Sequence, residues 1–208
     1  MAILEALNWR YAVREFSDTQ LSEETVAELV EATRLSPSAY GLQPYKLLVV
    51  KSPEVKNELL PYAMGQTKVR DCSHLFILTV NTAIDAQFIE QHFAHVERER
   101  GLEAGALAGF TQHVKDVMLS MSAEQLQQWA ENQVHIALGN LLTTAALKQV
   151  DACPMAGFEN QGFDEVLGLA ELGIRSAVIC ALGERAETDA SSAERKVRLP
   201  VNDFSLEI

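Results

Sequence analysis

Ser36-Pro37-Ser38-Ala39-Tyr40-Gly41-Leu42-Gln43-Pro44-Tyr45 runs directly into Lys46-Leu47-Leu48-Val49-Val50, and this join between a helix and a strand decides the fold class. Upstream, Ser22-Glu23-Glu24 has the form of a helix start, a capping serine followed by two acids in the first turn. Val26, Leu29, Val30 and Thr33 then recur at helical spacing. Downstream, Tyr45 to Lys51 reads as a buried strand. Between them two prolines fix φ, and Gly41 allows a backbone turn that other residues resist. The small side chains of Ser38 and Ala39 let something flat lie close to the main chain.

Outward from this join the same alternation continues. A short helix ends near Trp9. Ser52-Pro53-Glu54 opens another, with proline at its favoured first position. His74 to Val80 is a second buried strand and Arg175 to Gly183 a third. Residues 85–121 are helical but interrupted by Gly101, Gly105 and Gly109, and read as a surface excursion of two helices with a mobile connection. Ser122-Ala123-Glu124-Gln125 is a capping box. It opens a long helix reaching about Lys148, with Val134, Leu138, Leu141, Leu142 and Ala145 as its apolar stripe. The tail from Arg195 to Ile208 contains Pro200 and alternating apolar residues without a local partner, so it is expected to pack on another surface, such as a second subunit. The expectation is an α+β protein, a single domain over 1–208 with a central sheet of few strands surrounded by helices.

The chain has 208 residues, 48% apolar and 22% charged, ordinary for a soluble globular protein with a large core. Its net charge of −12 excludes nucleic acid and anionic membrane surfaces as expected partners and makes clustered cations informative. Cys72, Cys153 and Cys180 are odd in number and far apart, without CxxC or metal spacing, and read as buried thiols in a reducing compartment. Met1 to Arg10 lack the long apolar stretch of a secretion signal, and no run approaches a membrane span. A cytoplasmic location is expected.

Against 29 acids there are 17 Lys plus Arg, yet Arg10 and Arg14 lie together, as do Arg195, Lys196 and Arg198. Arg10 and Arg14 would share a face if their segment were helical. Arginine suits phosphate because its planar fork donates two parallel hydrogen bonds. Two solvated surface patches would carry the same pattern. No GxGxxG, GxxxxGK[ST] or Gly-x-Ser-x-Gly is present. His92 and His95, at i and i+3, read as surface histidines in preference to a metal pair, and no metal is expected. An anion site without an obvious acid, base or nucleophile suits a protein whose cofactor carries the chemistry, so no side chain is assigned as catalytic.

Four separated blocks resemble the FMN-dependent nitroreductases, in the family order. Arg10-Tyr11-Ala12-Val13-Arg14-Glu15-Phe16 is similar to Arg-x-Ser-x-Arg/Lys-x-Phe, and Ser36 to Tyr45 to Ser-Pro-Ser-x-x-Asn-x-Gln-Pro-Trp. Pro154-Met155-Ala156-Gly157-Phe158 resembles Pro-x-Glu-Gly-Phe, and Lys196-Val197-Arg198-Leu199-Pro200 resembles Lys-x-Arg-x-Pro. The resemblance implies a nitroreductase-like fold, with a central mixed sheet of few strands and the helical excursion near 85–121, and a homodimer with FMN at the subunit interface. Arg10, Lys196 and Arg198 would hold the FMN phosphate. Arg14 and Lys68 would sit at the flavin edge. Pro37, Ser38, Ala39 and Gly41 would reach the flavin of the partner subunit, and backbone near Ala156 and Gly157 would donate to N5. Tyr11, Ala12, Gln66, Pro154 and Met155 complete the implied cofactor contacts.

The chain departs from the family pattern at several of these positions. Ala12 stands for a serine, Gly41 for an asparagine and Ala156 for a glutamate, while Gln66 follows the position of a family asparagine. These changes bear on the substrate more than on the cofactor. The implied reaction is ping-pong: hydride from NAD(P)H through flavin N5 to a nitroaromatic, a quinone or a similar electron-poor acceptor. Tyr40, Gly41 and Phe110 are candidates for the acceptor pocket, and Phe110 reads equally as a core anchor of its helix. A specialised enone or chromate reductase, and an FMN-binding protein without turnover, are the alternatives.

Overall fold

The computed structural model describes residues 2–208. Its helices are α1 (Ile3–Trp9), α2 (Glu23–Arg34), α3 (Pro53–Leu59), α4 (Lys68–Asp71), α5 (Ala86–Glu99), α6 (Ala108–Leu119), α7 (Ala123–Leu147), α8 (Asn160–Leu167) and α9 (Val201–Phe204). The strands are β1 (Tyr45–Val50), β2 (His74–Asn81), β3 (Asp151–Met155) and β4 (Ile174–Gly183). They form one sheet in the order β1-β2-β4-β3.

The apolar runs of β2 and β4 form the central strands because both faces of the sheet are covered, whereas β1 lies at an edge and is only partly buried, not the buried strand expected. Side chains alternate sides along a strand. Phe76, Leu78 and Val80 of β2 and Val178, Cys180 and Leu182 of β4 join a core with Leu29 of α2 and Val134, Leu138 and Leu141 of α7. Leu75, Ile77, Ile179 and Ala181 point the other way, toward Leu59 of α3 and Phe163 of α8. The second layer is close-fitting: a Cβ added at Gly162 would lie 2.1 Å from Tyr62 Cδ1. A third cluster, Leu42, Ile89, Phe93, Val114 and Met118, is the private core of α5 and α6.

The serine caps act as the sequence implies. Ser22, Ser52 and Ser122 accept from the backbone N–H of Thr25, Val55 and Gln125, and Gln125 closes the capping box. The α5–α6 excursion contains two helices, but its connection is tied rather than loose. The Glu97 carboxylate accepts from the backbone N–H of Gly105 and Leu107 at 3.0 and 2.7 Å.

The structure both corrects and extends the sequence reading. The sheet is not mixed: among the described residues all three strand pairings are antiparallel, and a parallel direction occurs only in the isolated Ala12–Ala152 bridge. β3 is a strand that the apolar pattern does not reveal. It is an edge strand, the setting that tolerates Pro154 without a ladder donor. The Arg10–Phe16 segment is not helical. Arg10 has φ −69° and ψ 142°, and the chain then crosses in extended form, bridging Ala12 to Ala152 and Phe16 to Arg185.

Candidate functional site

Two networks hold that crossing segment beside the sheet edge. The first centres on buried Asp189. Its carboxylate accepts from the backbone N–H of Arg14 at 2.9 Å, Ser191 at 3.0 Å and Glu15 at 3.3 Å, and from the Tyr11 hydroxyl at 3.3 Å. Burial acts to raise its pKa, but these donors to the charged form outweigh burial and hold it below 3.8. The second centres on Arg185, whose Nε and backbone N–H reach the Asp151 carboxylate at 2.9 and 2.8 Å. Its guanidinium carbon lies 4.4 Å from the Trp9 ring centroid and 4.5 Å from that of Tyr11. Lys196 Nζ then donates to the carbonyls of Leu7 and Arg10, drawing the C-terminal segment alongside.

The result is a groove of about 510 Å³ whose lining includes Arg10, Tyr11, Ala12, Arg14, Arg195, Lys196 and Arg198. The two basic clusters, at opposite ends of the chain, are therefore one feature. Its electrostatics are frustrated. Burial, and after it Arg198, lowers the Arg10 pKa; burial, then Arg10 and Arg198, lowers that of Lys196. Arg10 Nε is buried without a hydrogen-bond partner among the described residues. An unpaired buried donor among repelling cations is relieved by a bound anion, so these residues fit a phosphate-bearing group such as FMN.

Next to this groove, β3 ends at Met155, and Ala156 and Gly157 follow exposed. Gln66 Nε2 donates to the Gly157 carbonyl at 2.8 Å, which pins the loop before α4. Burial raises the Cys153 pKa, opposed by Lys68, Arg10 and Arg14, so these three cations act on the same buried thiol. Cys72 is pushed up to about 11 by burial and Cys180 is raised by the same cause, so both thiols stay protonated.

The Ser36–Tyr45 loop lies elsewhere. Ala39 N–H donates to Gln133 Oε1 of α7 at 2.9 Å, Asn140 Nδ2 donates to Ser36 Oγ at 2.9 Å, and Gln43 N–H donates to Ser38 Oγ at 3.0 Å. The turn takes positive φ at Tyr40 (57°), Gly41 (71°) and Gln43 (42°), so Gly41 is not alone in the left-handed region. Tyr40, Gly41 and Phe110 line one pocket, together with His92, Phe93, Val96, Arg100 and Leu107. Phe110 is 48% exposed and sets its ring against Tyr40 and Phe93, so it is a pocket wall and not a core anchor. This pocket shares no lining residue with the basic groove. Within one chain the loop and the cations do not meet.

Two placements limit expected contacts. Met155 is buried in the core, leaving only its backbone for a ligand. The Tyr11 ring is committed to Arg185 and its hydroxyl to Asp189.

The nitroreductase family model matches residues 7–184. The chain belongs to the nitroreductase family. A Bacillus subtilis relative named "Putative NAD(P)H nitroreductase YfkO" is 35% identical over 195 residues, 88% of each chain. A Staphylococcus haemolyticus relative, "Putative NAD(P)H nitroreductase SH0546", is 29% identical over 97% of this chain and 94% of its own. Among solved structures, a nitroreductase-type protein from Exiguobacterium sibiricum in complex with FMN superposes with a TM-score of 0.84 at 21% identity, covering 100% and 98% of the two chains.

In this nitroreductase-family chain, the side chains that sequence reasoning missed are those that place the site. Asp189 and Arg185 act over more than 170 residues on Arg14 and Tyr11, and no local pattern marks them. Trp9, one residue before Arg10, carried the only sequence signal, as an aromatic beside a cation.

Proposed function

We propose that this chain is an FMN-dependent oxidoreductase that moves hydride from NAD(P)H to electron-poor aromatic acceptors, nitroaromatics and quinones first among them. The single observation that carries the reading is the buried, unpartnered Arg10 Nε in a groove shared with Arg14, Lys196 and Arg198. Family membership, relatives named for NAD(P)H and a structural neighbour holding FMN support it. When bound, FMN supplies a two-electron carrier that the side chains lack.

The residues divide the remaining work. Arg10, Lys196 and Arg198 bind the phosphate. Arg14 and Lys68 would hold the ring end of the group, where their positive charge would stabilise negative charge that it gains. The exposed backbone at Ala156 and Gly157, pinned by Gln66, orients the ring. Pro37, Ser38, Ala39 and Gly41 complete the site from a partner subunit, which accounts for their separation from the cations of their own chain. A homodimer is also supported by the tail, where Val197, Leu199, Val201, Phe204 and Leu206 are each at least 67% exposed. Reductant and acceptor use the same stacking surface in turn, which is ping-pong. The three free buried cysteines favour the cytoplasm, and among the described residues no helix is long and apolar enough to cross a membrane.

The test is steady-state kinetics with both substrates varied, using nitroaromatic, quinone and enone acceptors. Parallel double-reciprocal lines with a nitroaromatic or quinone are expected. Intersecting lines contradict alternating use of one surface, and turnover confined to enones reassigns the acceptor class.

A further inference from the structure

The pocket at the Tyr40 turn has aromatic walls and one charged residue, the exposed Arg100, in its lining. Tyr40, Phe93, Phe110 and Leu107 surround it. The Phe110 ring stands edge-on to Tyr40 at 6.3 Å and to Phe93 at 5.3 Å. The space is about 330 Å³, at the small end for organic ligands and suited to a single substituted ring.

Two polar side chains share the wall. His92 lies under the turn, where the missing side chain of Gly41 leaves room: a Cβ there would stand 3.7 Å from His92 Nε2. Burial first, and His95 second, hold the His92 pKa below 6.5, so the imidazole is neutral at pH 7. Arg100, the exposed C-cap of α5, is then the only formal charge among the described residues lining the pocket. It takes part in no ion pair among the described residues, although the chain carries 29 acids.

We propose that this pocket selects flat aromatic acceptors bearing an anionic substituent, with Arg100 as the specificity-determining residue. The ring edges of Tyr40, Phe93 and Phe110 hold an aromatic body by edge and offset stacking. The guanidinium fork donates two parallel hydrogen bonds to a carboxylate, which a neutral substituent of similar shape accepts less strongly. A neutral aromatic would enter by stacking alone. The proposal rests on the oxidoreductase reading for its acceptor role, and its binding claim is separately testable.

The probes are para-nitrobenzoate and its neutral analogue para-nitrobenzamide, used with the holoenzyme at low ionic strength. The wild type is expected to favour the carboxylate about tenfold in kcat/KM, equivalent to 1.4 kcal/mol at 25 °C. In Arg100→Gln the ratio falls to near one, and Arg100→Lys keeps part of it. Calorimetric titration of the oxidised holoenzyme with the two probes gives the same ratio without turnover. A wild-type ratio near one, no detectable binding of either probe, or a preference that survives Arg100→Gln overturns the proposal. If NAD(P)H fails to reduce the bound flavin, the oxidoreductase reading falls while the calorimetric ratio still decides the pocket.

Discussion

Arg10→Met separates a frustrated anion site from a structural arginine. Methionine keeps the apolar stem and removes the guanidinium. In the flavin-free protein, Arg10 has a buried Nε without a partner and is disfavoured by burial and by Arg198. An unsatisfied buried donor costs about 1–3 kcal/mol, and part of that returns when the group is deleted. The flavin-free variant should gain about 1 kcal/mol, a rise of roughly 2–4 °C in melting midpoint for a chain of this size. The bound state should move the opposite way. Loss of a charge-assisted phosphate contact of about 1.5–3 kcal/mol weakens FMN binding roughly tenfold to a hundredfold. Flavin fluorescence quenching measures the affinity, and a thermal melt of flavin-free protein measures the stability. Unchanged FMN affinity would refute the groove as the phosphate site. A flavin-free variant less stable by more than about 1 kcal/mol would refute the frustration on which the site was identified.

Three other outcomes are expected. Asp189→Asn removes the charge that accepts from Arg14, Glu15 and Ser191 and should cost about 1–3 kcal/mol at pH 7 by urea unfolding. Because the folded pKa of Asp189 lies below 3.8, its stabilisation is complete above that value and lost as pH falls through the folded pKa; a gap between wild type and variant that does not shrink on acidification contradicts the assignment. Gly162→Ala drives a Cβ to 2.1 Å from Tyr62 Cδ1 and should cost about 1–3 kcal/mol from overpacking; an unchanged urea midpoint shows that Tyr62 yields freely. Deleting Val201–Ile208 should give a monomer by sedimentation, and an intact dimer removes the tail from the interface.

Much of the fold was legible because its signals are local. β1, β2 and β4 are apolar runs, and Ser22, Ser52 and Ser122 mark helix starts within four residues of the backbone groups they cap. β3 was not legible: five residues with Asp151 and Pro154 do not look like a strand, and only pairing with β4 makes it one. Strand direction was also out of reach, since an apolar run reads the same beside a parallel or an antiparallel neighbour. For the site, the cation clusters were visible in an acidic chain, but the extended conformation of the Arg10–Arg14 segment was not. Asp189 and the Ala152 bridge, both distant in sequence, hold that segment extended. Arg100 stayed hidden for a simpler reason: one arginine at a helix end looks like any other until Tyr40, Phe93 and Phe110 gather beside it.

The most direct measurement is an anaerobic titration of the purified, FMN-loaded protein with NADH and with NADPH, following the visible flavin band. The expected result is a yellow protein that bleaches completely with one equivalent of at least one nicotinamide per FMN and regains its colour on addition of a nitroaromatic. A bound flavin that neither nicotinamide bleaches, or a colourless protein that takes up no added FMN, would contradict the assignment.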